Sequence, residues 1–249
     1  NVGPIGLDSF GRRDSSGDLM NSFSLGAKIT AKLKVGALRT DGFHDIEARV
    51  VFANAPAEAV TVTQSDPGTG ISLELAGITD GVPNDDGNLA WRAVALFAKE
   101  LGMPTDFAVR INKQIPPGAG LGGGSIDAAL TLRSLAALQA KEWSQIANIA
   151  ARVAADIGSD VPVCLHGGSA DVSGRGEKIE PILLPSPVPI LLVIPRFGVS
   201  TPAVYQCFDE MGMPRGDSIY GGPLGELRND LALAAFSVEP ELAQIASAV

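Results

Sequence analysis

The stretch that decides the fold is Pro116-Pro117-Gly118-Ala119-Gly120-Leu121-Gly122-Gly123-Gly124-Ser125-Ile126. It lies between residues 107–111, which alternate as a strand does, and an apolar pattern of helical spacing that runs from 125 onward. Ordering so many glycines between two regular elements costs conformational entropy, which indicates a binding role. Backbone N–H groups without Cβ neighbours can close around phosphate oxygens, and the following helix adds the positive end of its dipole. The loop therefore predicts a phosphate-binding site, with a plain linker as the alternative.

Three familiar phosphate-binding motifs do not fit this loop. Gly118, Gly120 and Gly123 satisfy G-x-G-x-x-G, but a dinucleotide fold joins its strand directly to the first glycine, and here residues 113–117 intervene. No lysine lies between the first glycine and Arg133, which excludes the P-loop of nucleoside triphosphatases. The companion motifs of protein kinases are absent from the sequence as well.

Composition excludes other classes of protein. The 249 residues are 45% hydrophobic, enough for a sizeable core, and carry 19 basic and 28 acidic side chains, for a formal net charge of -9. This acidic balance disfavours a nucleic-acid partner. Two cysteines are too few for a disulfide framework or a four-thiolate zinc site. We find neither an apolar run of the roughly 18 residues that span a bilayer nor a signal-peptide pattern, so we expect a cytoplasmic protein with no membrane partner.

The remaining patterns predict a mixed α+β chain. Residues 29–35 alternate as a strand, and 188–194 form a continuous apolar strand. Asn88 can cap a helix that Gly102 ends. Further short strands are expected at 49–53, 59–63 and 71–75. The proline-rich residues 183–189 mark the best domain boundary.

The sequence as a whole resembles the GHMP small-molecule kinases. The stretch PPGAGLGGGSIDAA, residues 116–129, is similar to that family's P-x-G-x-G-L-G-G-G-S-S-D-A-A signature. Other similar elements follow the family's order: AKITAKLKV at 27–35, Asp41-Gly42-Phe43-His44, Asn88 to Ala93, Gly158-Ser159-Asp160-Val161-Pro162 and Gly174-Arg175-Gly176-Glu177. The resemblance is greatest to the members that serve the non-mevalonate isoprenoid pathway.

This resemblance implies an α+β fold of two domains that meet at a cleft. Residues 23–185 would form a ribosomal S5 domain 2-like, ATP-binding N-terminal domain. Residues 186–249 would form a ferredoxin-like C-terminal domain, which we expect to be truncated because the family's C-terminal glycine-rich segment is missing from the sequence. Residues 1–22 show no period, and we expect a flexible extension or a cloning remnant there.

The resemblance also implies a reaction and assigns catalytic residues. The reaction is ATP-dependent phosphorylation of the 2-hydroxyl of 4-diphosphocytidyl-2-C-methyl-D-erythritol, with Mg²⁺. Asp160 would orient the hydroxyl and accept its proton, and Lys28 would stabilise charge at the reacting oxygen. Taken without the resemblance, Asp160 reads as a helix-terminal aspartate held by backbone amides, and Lys28 as a solvated lysine.

The same resemblance assigns ATP binding to all of residues 116–126. Ser125 is a candidate Mg²⁺ ligand, and its residue type also suits the N-cap of the following helix. Ile126 stands where the family has a second serine, which removes a hydroxyl from the phosphate region.

Substrate binding is assigned to three further residues. Phe43 would stack on the cytosine and His44 would hydrogen-bond to it, although the family usually has tyrosine in place of Phe43. Thr30 replaces an asparagine of the family, so one polar substrate contact is altered. Without the resemblance, Phe43 and His44 read as a core aromatic and a loop histidine.

Two other functions stay open on the sequence. One is a GHMP kinase for another small alcohol, such as mevalonate or homoserine, which would have no use for a cytidine platform at Phe43 and His44. The other is a catalytically silent nucleotide-binding protein. Ile126, Thr30 and the missing tail favour this second alternative, and the retained Lys28 and Asp160 disfavour it. The sequence predicts no oligomeric state.

Overall fold

The computed structural model describes residues 8–13, 19–139, 143–184, 187–220 and 222–248. Its strands are β1 (Asp8–Arg13), β2 (Leu19–Leu38), β3 (His44–Gln64), β4 (Ile71–Gly77), β5 (Phe107–Lys113), β6 (Ala170–Gly174), β7 (Lys178–Pro181), β8 (Ile219–Tyr220) and β9 (Glu226–Asn229). Its helices are α1 (Leu89–Leu101), α2 (Gly123–Leu138), α3 (Trp143–Ile157), α4 (Val161–His166), α5 (Thr201–Glu210), α6 (Ala232–Val238) and α7 (Pro240–Ala248). The mixture confirms the predicted α+β class. Within these ranges no helix combines the length and apolar character that a membrane span requires.

The described chain divides into two compact units that do not follow sequence order. The first unit holds the described residues up to 28, together with 52–117 and 122–168. The second unit holds 29–51, 118–121 and the described residues from 169 onward. Because β2 and β3 are each about 20 residues long and contribute to both units, these units differ from the predicted ranges 23–185 and 186–249, which remain a prediction about domains.

In the first unit, helices cover a sheet built on β5. This strand pairs antiparallel with β3, where Val62 faces Val109, and parallel with β4, where Leu73 faces the same valine. The side chains of Phe107, Val109 and Ile111 are all buried, which confirms the predicted alternation. Helices α1 and α2 pack on each other, and α3 and α4 pack on α2.

The ends of α1 are those predicted. The Asn88 side chain accepts a hydrogen bond from the Ala90 N–H, and Gly102 ends the helix in the left-handed conformation. Each device satisfies backbone groups that the helix itself leaves unpaired. The buried face of α1 includes Phe97, which contributes one of the largest side chains of the core.

The second unit contains two groups of paired strands and the short helices α5 and α6. The first residues of β3 pair antiparallel with β6, and β6 pairs antiparallel with β7. The later part of β2 pairs in parallel with β9, which pairs antiparallel with β8. Helices α5 and α6 enclose a small core of Val204, Phe208, Leu231 and Ala234.

Two predicted strands differ from the structure. The short strands expected at 49–53 and 59–63 are parts of the single strand β3. Residues 188–194 form no strand, and Leu191 is 80% exposed. An apolar run predicts burial, but a strand also needs a partner for its backbone groups, and none of the described pairings includes this run. The proposed boundary at 183–189 includes residues 185 and 186, which lie outside the described residues.

The extension expected over 1–22 falls partly outside the described residues. Within it, β1 pairs antiparallel with residues 19–24 of β2. Residues 8–13 and 19–22 therefore lie in strands, and the flexible extension or cloning remnant expected over 1–22 stays a prediction. The sequence DSFGRR of β1 contains one large apolar side chain and no alternation, which explains why its pattern did not predict a strand.

Candidate active site

Lys28 and Asp160 form an ion pair in the first unit. Lys28 Nζ lies 2.6 Å from Asp160 Oδ2, although the two residues are 132 positions apart in the chain. The lysine is buried, whereas the aspartate side chain is 47% exposed. A solvent-facing carboxylate beside a fixed ammonium can bind a hydroxyl and accept its proton. The structure thus brings together the two residues predicted to be catalytic.

The local structure around Asp160 disfavours a purely structural role for its side chain. Asp160 occupies the N-cap position of α4, and Pro162 lies in the first turn, where no N–H donor is needed. Its side chain nevertheless makes no capping hydrogen bond. The carboxylate that a helix start normally uses is directed to Lys28 instead, so neither the capping aspartate nor the solvated lysine describes this pair.

Three residues of the glycine loop have backbone conformations that favour glycine. Gly118, Gly120 and Gly122 have φ values of 73°, 72° and 72°. L-residues with a Cβ adopt this left-handed region at a cost. The last of these, Gly122, is the N-cap of α2. The loop composition therefore follows from the backbone path.

The start of α2 can bind an anion. The first intrahelical hydrogen bond runs from the Ile126 N–H to the Gly122 carbonyl, at 2.9 Å. The N–H groups of the three preceding helical residues, 123–125, have no carbonyl one turn earlier in the helix. Together with the helix dipole, such N–H groups stabilise phosphate oxygens.

Ser125 and Ile126 both lie in the first turn of α2, which bears on their predicted roles. Ser125 is the third residue of α2 and not its N-cap, because the helix begins at Gly123. This leaves the Ser125 hydroxyl in the first turn. The Ile126 side chain is fully buried and its N–H bonds to the Gly122 carbonyl, so the predicted ATP contact at this residue gains no support and stays a prediction.

The helix start and the ion pair are in contact. A Cβ atom built on Gly122 would lie 3.1 Å from Lys28 Cβ and 3.3 Å from Lys28 Cε. The backbone at Gly122 therefore lies directly against the lysine side chain. A helix start with free N–H groups, an ammonium and a carboxylate are therefore adjacent within the first unit.

A second group of charges lies buried beside the same helix start. Lys113 Nζ is 2.6 Å from Asp127 Oδ2 and 3.0 Å from Glu58 Oε1. All three side chains are at most 3% exposed. Burial raises the pKa of the Asp127 carboxyl to about 7, an effect that Lys113 partly opposes and Glu58 reinforces. Asp127 Oδ1 is buried without a hydrogen-bond partner among the described residues.

This buried group was not predicted from the sequence, although one signal pointed to it. Lys113 continues the inward-facing series of Phe107, Val109 and Ile111 along β5. A lysine at the next core position of an alternating strand requires buried carboxylate partners.

Replacing Asp127 with asparagine is expected to change how stability depends on pH. A carboxyl whose pKa is higher in the folded chain than in the unfolded chain stabilises the fold while it stays protonated, and that stability is lost as pH rises from about 4 to about 7. The free energy of unfolding of the parent should therefore fall relative to Asp127→Asn between pH 5 and pH 8, by on the order of 2 kcal/mol. Urea denaturation at several pH values measures this difference.

Asp106→Asn provides a control of opposite sign. Hydrogen bonds from the backbone N–H groups of residues 68–70 lower the pKa of Asp106, chiefly that of Gly70. Stability that depends on this carboxylate is present above pH 4 and is lost as pH falls below that value.

The Asp127 prediction is contradicted if the free energies of unfolding of the parent and of Asp127→Asn differ by the same amount at every pH from 5 to 8.

In the second unit, Phe43 presents a partly open aromatic surface. Its side chain is 45% exposed, and the Arg175 guanidinium lies 3.7 Å from the ring centroid. Arg175 Nη1 also lies 3.7 Å from an Asp41 carboxylate oxygen. Phe43 is therefore not a core aromatic, which was the alternative prediction for this residue. The planar Arg175 guanidinium stacks on its ring.

His44, the neighbour of Phe43, is buried. Its Nδ1 lies 2.8 Å from the Gly36 carbonyl, to which it can donate, and its Nε2 lies 3.3 Å from Asp209 Oδ1. The ring stacks on Tyr205 with centroids 5.4 Å apart. Tyr205 and Asp209 were not predicted from the sequence, because both lie on α5, far along the chain from His44. Thr30, the third predicted substrate residue, is exposed on β2.

Comparison with known proteins agrees with these features. The family model described as GHMP kinases N terminal domain matches residues 88–168. The 4-diphosphocytidyl-2-C-methyl-D-erythritol kinase of Cutibacterium acnes is 38% identical over 238 residues, which cover 88% of this chain and 76% of that protein. The kinase of the same name from Mycolicibacterium smegmatis is 36% identical over 233 residues, which cover 86% of this chain and 70% of that protein.

A solved structure shows the same relationship. The crystal structure of a 4-(cytidine 5'-diphospho)-2C-methyl-D-erythritol kinase aligns with a TM-score of 0.67 at 30% identity, covering 90% of this chain and 80% of that one. The two sequence relatives and the solved structure are all named as kinases of the same substrate. Each of them aligns with this chain over most of its length. The chain therefore belongs to the 4-diphosphocytidyl-2-C-methyl-D-erythritol kinase family of the GHMP kinases.

Proposed function

We propose that this chain transfers the γ-phosphoryl group of ATP to the 2-hydroxyl of 4-diphosphocytidyl-2-C-methyl-D-erythritol, in non-mevalonate isoprenoid precursor biosynthesis. The observation that carries the proposal is the position of Lys28, in contact with both Asp160 and the glycine that opens α2. Phosphoryl transfer depends on positioning and on stabilisation of charge more than on covalent chemistry. These three features supply that combination.

Asp160 acts as the general base in this proposal. Its exposed carboxylate accepts the proton of the substrate hydroxyl as the oxygen attacks the γ-phosphorus. Lys28 holds the carboxylate by its 2.6 Å contact and places a positive charge beside the reacting oxygens. The N–H groups at the start of α2 bind the phosphates of ATP.

Mg²⁺ would be bound together with ATP. The hydroxyl of Ser125 is a hard oxygen ligand of the kind that Mg²⁺ prefers, and it would help to hold the ion. When bound, the ion neutralises charge that develops on the phosphoryl oxygens. The first-turn position of Ser125 supports this assignment.

Phe43 and His44 would recognise the cytidine end of the substrate. The exposed part of the Phe43 ring suits stacking on a pyrimidine. Both ring nitrogens of His44 already contact protein groups, so a hydrogen bond to the base would require Nε2 to release Asp209. These features favour a cytidine-containing alcohol over mevalonate or homoserine. The contact between Lys28 and Asp160 favours an active kinase over a silent nucleotide-binding protein.

Truncation of the aromatic side chain tests the substrate assignment. Phe43→Ala should raise the KM of the cytidine substrate by roughly 10- to 100-fold, because loss of one base stack costs on the order of 1–3 kcal/mol. The KM of ATP should stay within about twofold. Steady-state kinetics with each substrate varied in turn measure both values.

Phe43→Tyr is the matched control, because it keeps the aromatic ring and should retain most of the parent's affinity for the cytidine substrate. An unchanged KM in Phe43→Ala, or equal use of an acceptor that lacks cytidine, would contradict the cytidine platform.

The proposed reaction itself is tested by ADP release. The purified chain receives ATP, Mg²⁺ and the cytidine-containing alcohol, with mevalonate and homoserine as rival acceptors. We expect turnover only with the first acceptor and phosphate on its 2-hydroxyl, as read by phosphorus NMR. Turnover of a rival acceptor, or ATP binding without turnover of any acceptor, would support the corresponding alternative.

A further inference from the structure

Glu58 is a charged side chain that the proposed mechanism does not use. It lies in the middle of β3 and is fully buried. Its backbone carbonyl accepts a hydrogen bond from Ser24 Oγ at 2.9 Å, which ties this part of β3 to β2. Its Oε1 lies 3.0 Å from Lys113 Nζ. A buried carboxylate with a single full counter-charge is costly to retain, so a specific use for it is expected.

The carboxylate of Glu58 binds the backbone where the glycine loop begins. Its Oε2 accepts the Gln114 N–H at 3.2 Å, and its Oε1 accepts the Ile115 N–H at 3.1 Å. These two residues directly precede Pro116, the first residue of the loop. Hydrogen bonds to an ionised acceptor are stronger than neutral ones, so this pair restrains the entry of the loop firmly.

The same carboxylate also contacts the backbone where the loop ends. A Cβ atom on Gly123 would lie 3.2 Å from Glu58 Oε1 and 3.3 Å from Lys113 Nζ. The first residue of α2 therefore packs directly on the Glu58–Lys113 pair. One buried side chain touches both the entry of the glycine loop and the start of the helix that follows it.

We propose that Glu58 is a positioning residue for the phosphates of ATP, an inference that rests on the proposed kinase function. It makes no contact with ATP itself. It holds residues 114–115 and Gly123 in register, so that the N–H groups at the start of α2 converge on the phosphate oxygens. Lys113 serves as its counter-ion in the core.

The role requires a carboxylate rather than an amide. Two backbone N–H donors and one ammonium converge on the two oxygens of Glu58. A glutamine has one oxygen acceptor, and its NH₂ group would face one of these donors. Glu58→Gln thus keeps the size of the side chain and leaves Lys113 paired with Asp127, while it releases part of the loop entry.

The experiment measures ATP affinity in Glu58→Gln. Calorimetry with ATP and Mg²⁺ should show a Kd at least tenfold weaker than that of the parent, and the KM of ATP should rise in parallel. The KM of the cytidine substrate should change by less than threefold. A merely structural role would lower the melting temperature and the active fraction, and hence the apparent kcat, without raising the Kd or KM of ATP.

Asp127→Asn is the matched comparison. It also replaces a buried carboxylate by an amide next to Lys113, but within the described residues Asp127 accepts no hydrogen bond from the loop entry at 114–115. Its ATP affinity should stay within about threefold of the parent. Equal weakening in both variants would show that the charge of the group matters and the hydrogen bonds of Glu58 do not, which overturns the inference.

Two further outcomes separate this inference from the function on which it rests. If the parent binds no ATP, the proposed kinase function fails. If the parent binds ATP and a folded Glu58→Gln binds it equally well, only the positioning role fails. Should Glu58→Gln not fold, Glu58→Asp provides the second variant, because it keeps the charge but shortens the reach to residues 114–115. Undiminished ATP affinity in Glu58→Asp would equally overturn the inference.

Discussion

Replacing Asp160 with asparagine is expected to lower kcat by a factor on the order of 10²–10⁴, the range associated with loss of a general base. Asparagine keeps the size of the side chain but removes its basicity and its charge. The Kd of ATP should change little, because the carboxylate contacts Lys28 and not the N–H groups of α2. Single-turnover kinetics at saturating ATP measure the chemical step directly.

Lys28 provides the partner variant for this experiment. Lys28→Ala should also lower kcat, since it removes the ammonium that holds Asp160 and stabilises the reacting oxygens. The double variant should lose less than the product of the two single effects, because the residues act as one unit. Near-normal turnover in Asp160→Asn, in a preparation whose parent is active, would rule out the proposed mechanism and leave the family membership intact.

Much of the site could be predicted from local sequence patterns. The glycine run required an unusual backbone, and Gly118, Gly120 and Gly122 do have positive φ. Asn88 and Gly102 end α1 as expected, because capping depends on residues next to each other in the chain. The proximity of Lys28 to Asp160 was expected only through the resemblance to a family, since no local pattern joins residues so far apart.

Other parts of the molecule depend on contacts that a linear pattern does not contain. Glu58 reads as one acidic residue among small apolar ones, and its burial follows from the Lys113 side chain that β5 brings opposite it. Tyr205 and Asp209 reach His44 only because α5 packs there. The apolar run at 188–194 shows the converse case, in which composition predicted a strand and the described residues provide no partner for it.

The division into units could not be predicted for a related reason. Residues 118–121 group with the second unit, whereas the rest of the loop groups with the first. A proline-rich stretch marks where a chain is easily interrupted, but long strands such as β2 and β3 can serve two units without any interruption. Compactness is a property of contacts in space, and composition along the chain reports it only indirectly.

Replacing Gly122 with valine is expected to weaken ATP binding at least 100-fold. Two separate costs combine at this position. A β-branched residue is strained at a φ of 72°, and its Cβ would lie 3.1 Å from Lys28 Cβ, a contact that forces the lysine or the helix start to move. Either movement separates the N–H groups of α2 from the ammonium, so phosphate binding and the geometry of Asp160 are lost together. Calorimetry with ATP and Mg²⁺ measures the affinity, and single-turnover kinetics measure the catalytic loss.

Gly68→Val separates the two costs. Gly68 has a φ of 85°, but a Cβ built there meets nothing within 4 Å, and the residue lies in a turn of the first unit before β4. This variant should lose on the order of 1–2 kcal/mol of stability from backbone strain and bind ATP as the parent does. If Gly122→Val binds ATP normally while Gly68→Val is destabilised as expected, the collision with Lys28 has no consequence for phosphate binding, and the start of α2 is not where ATP binds.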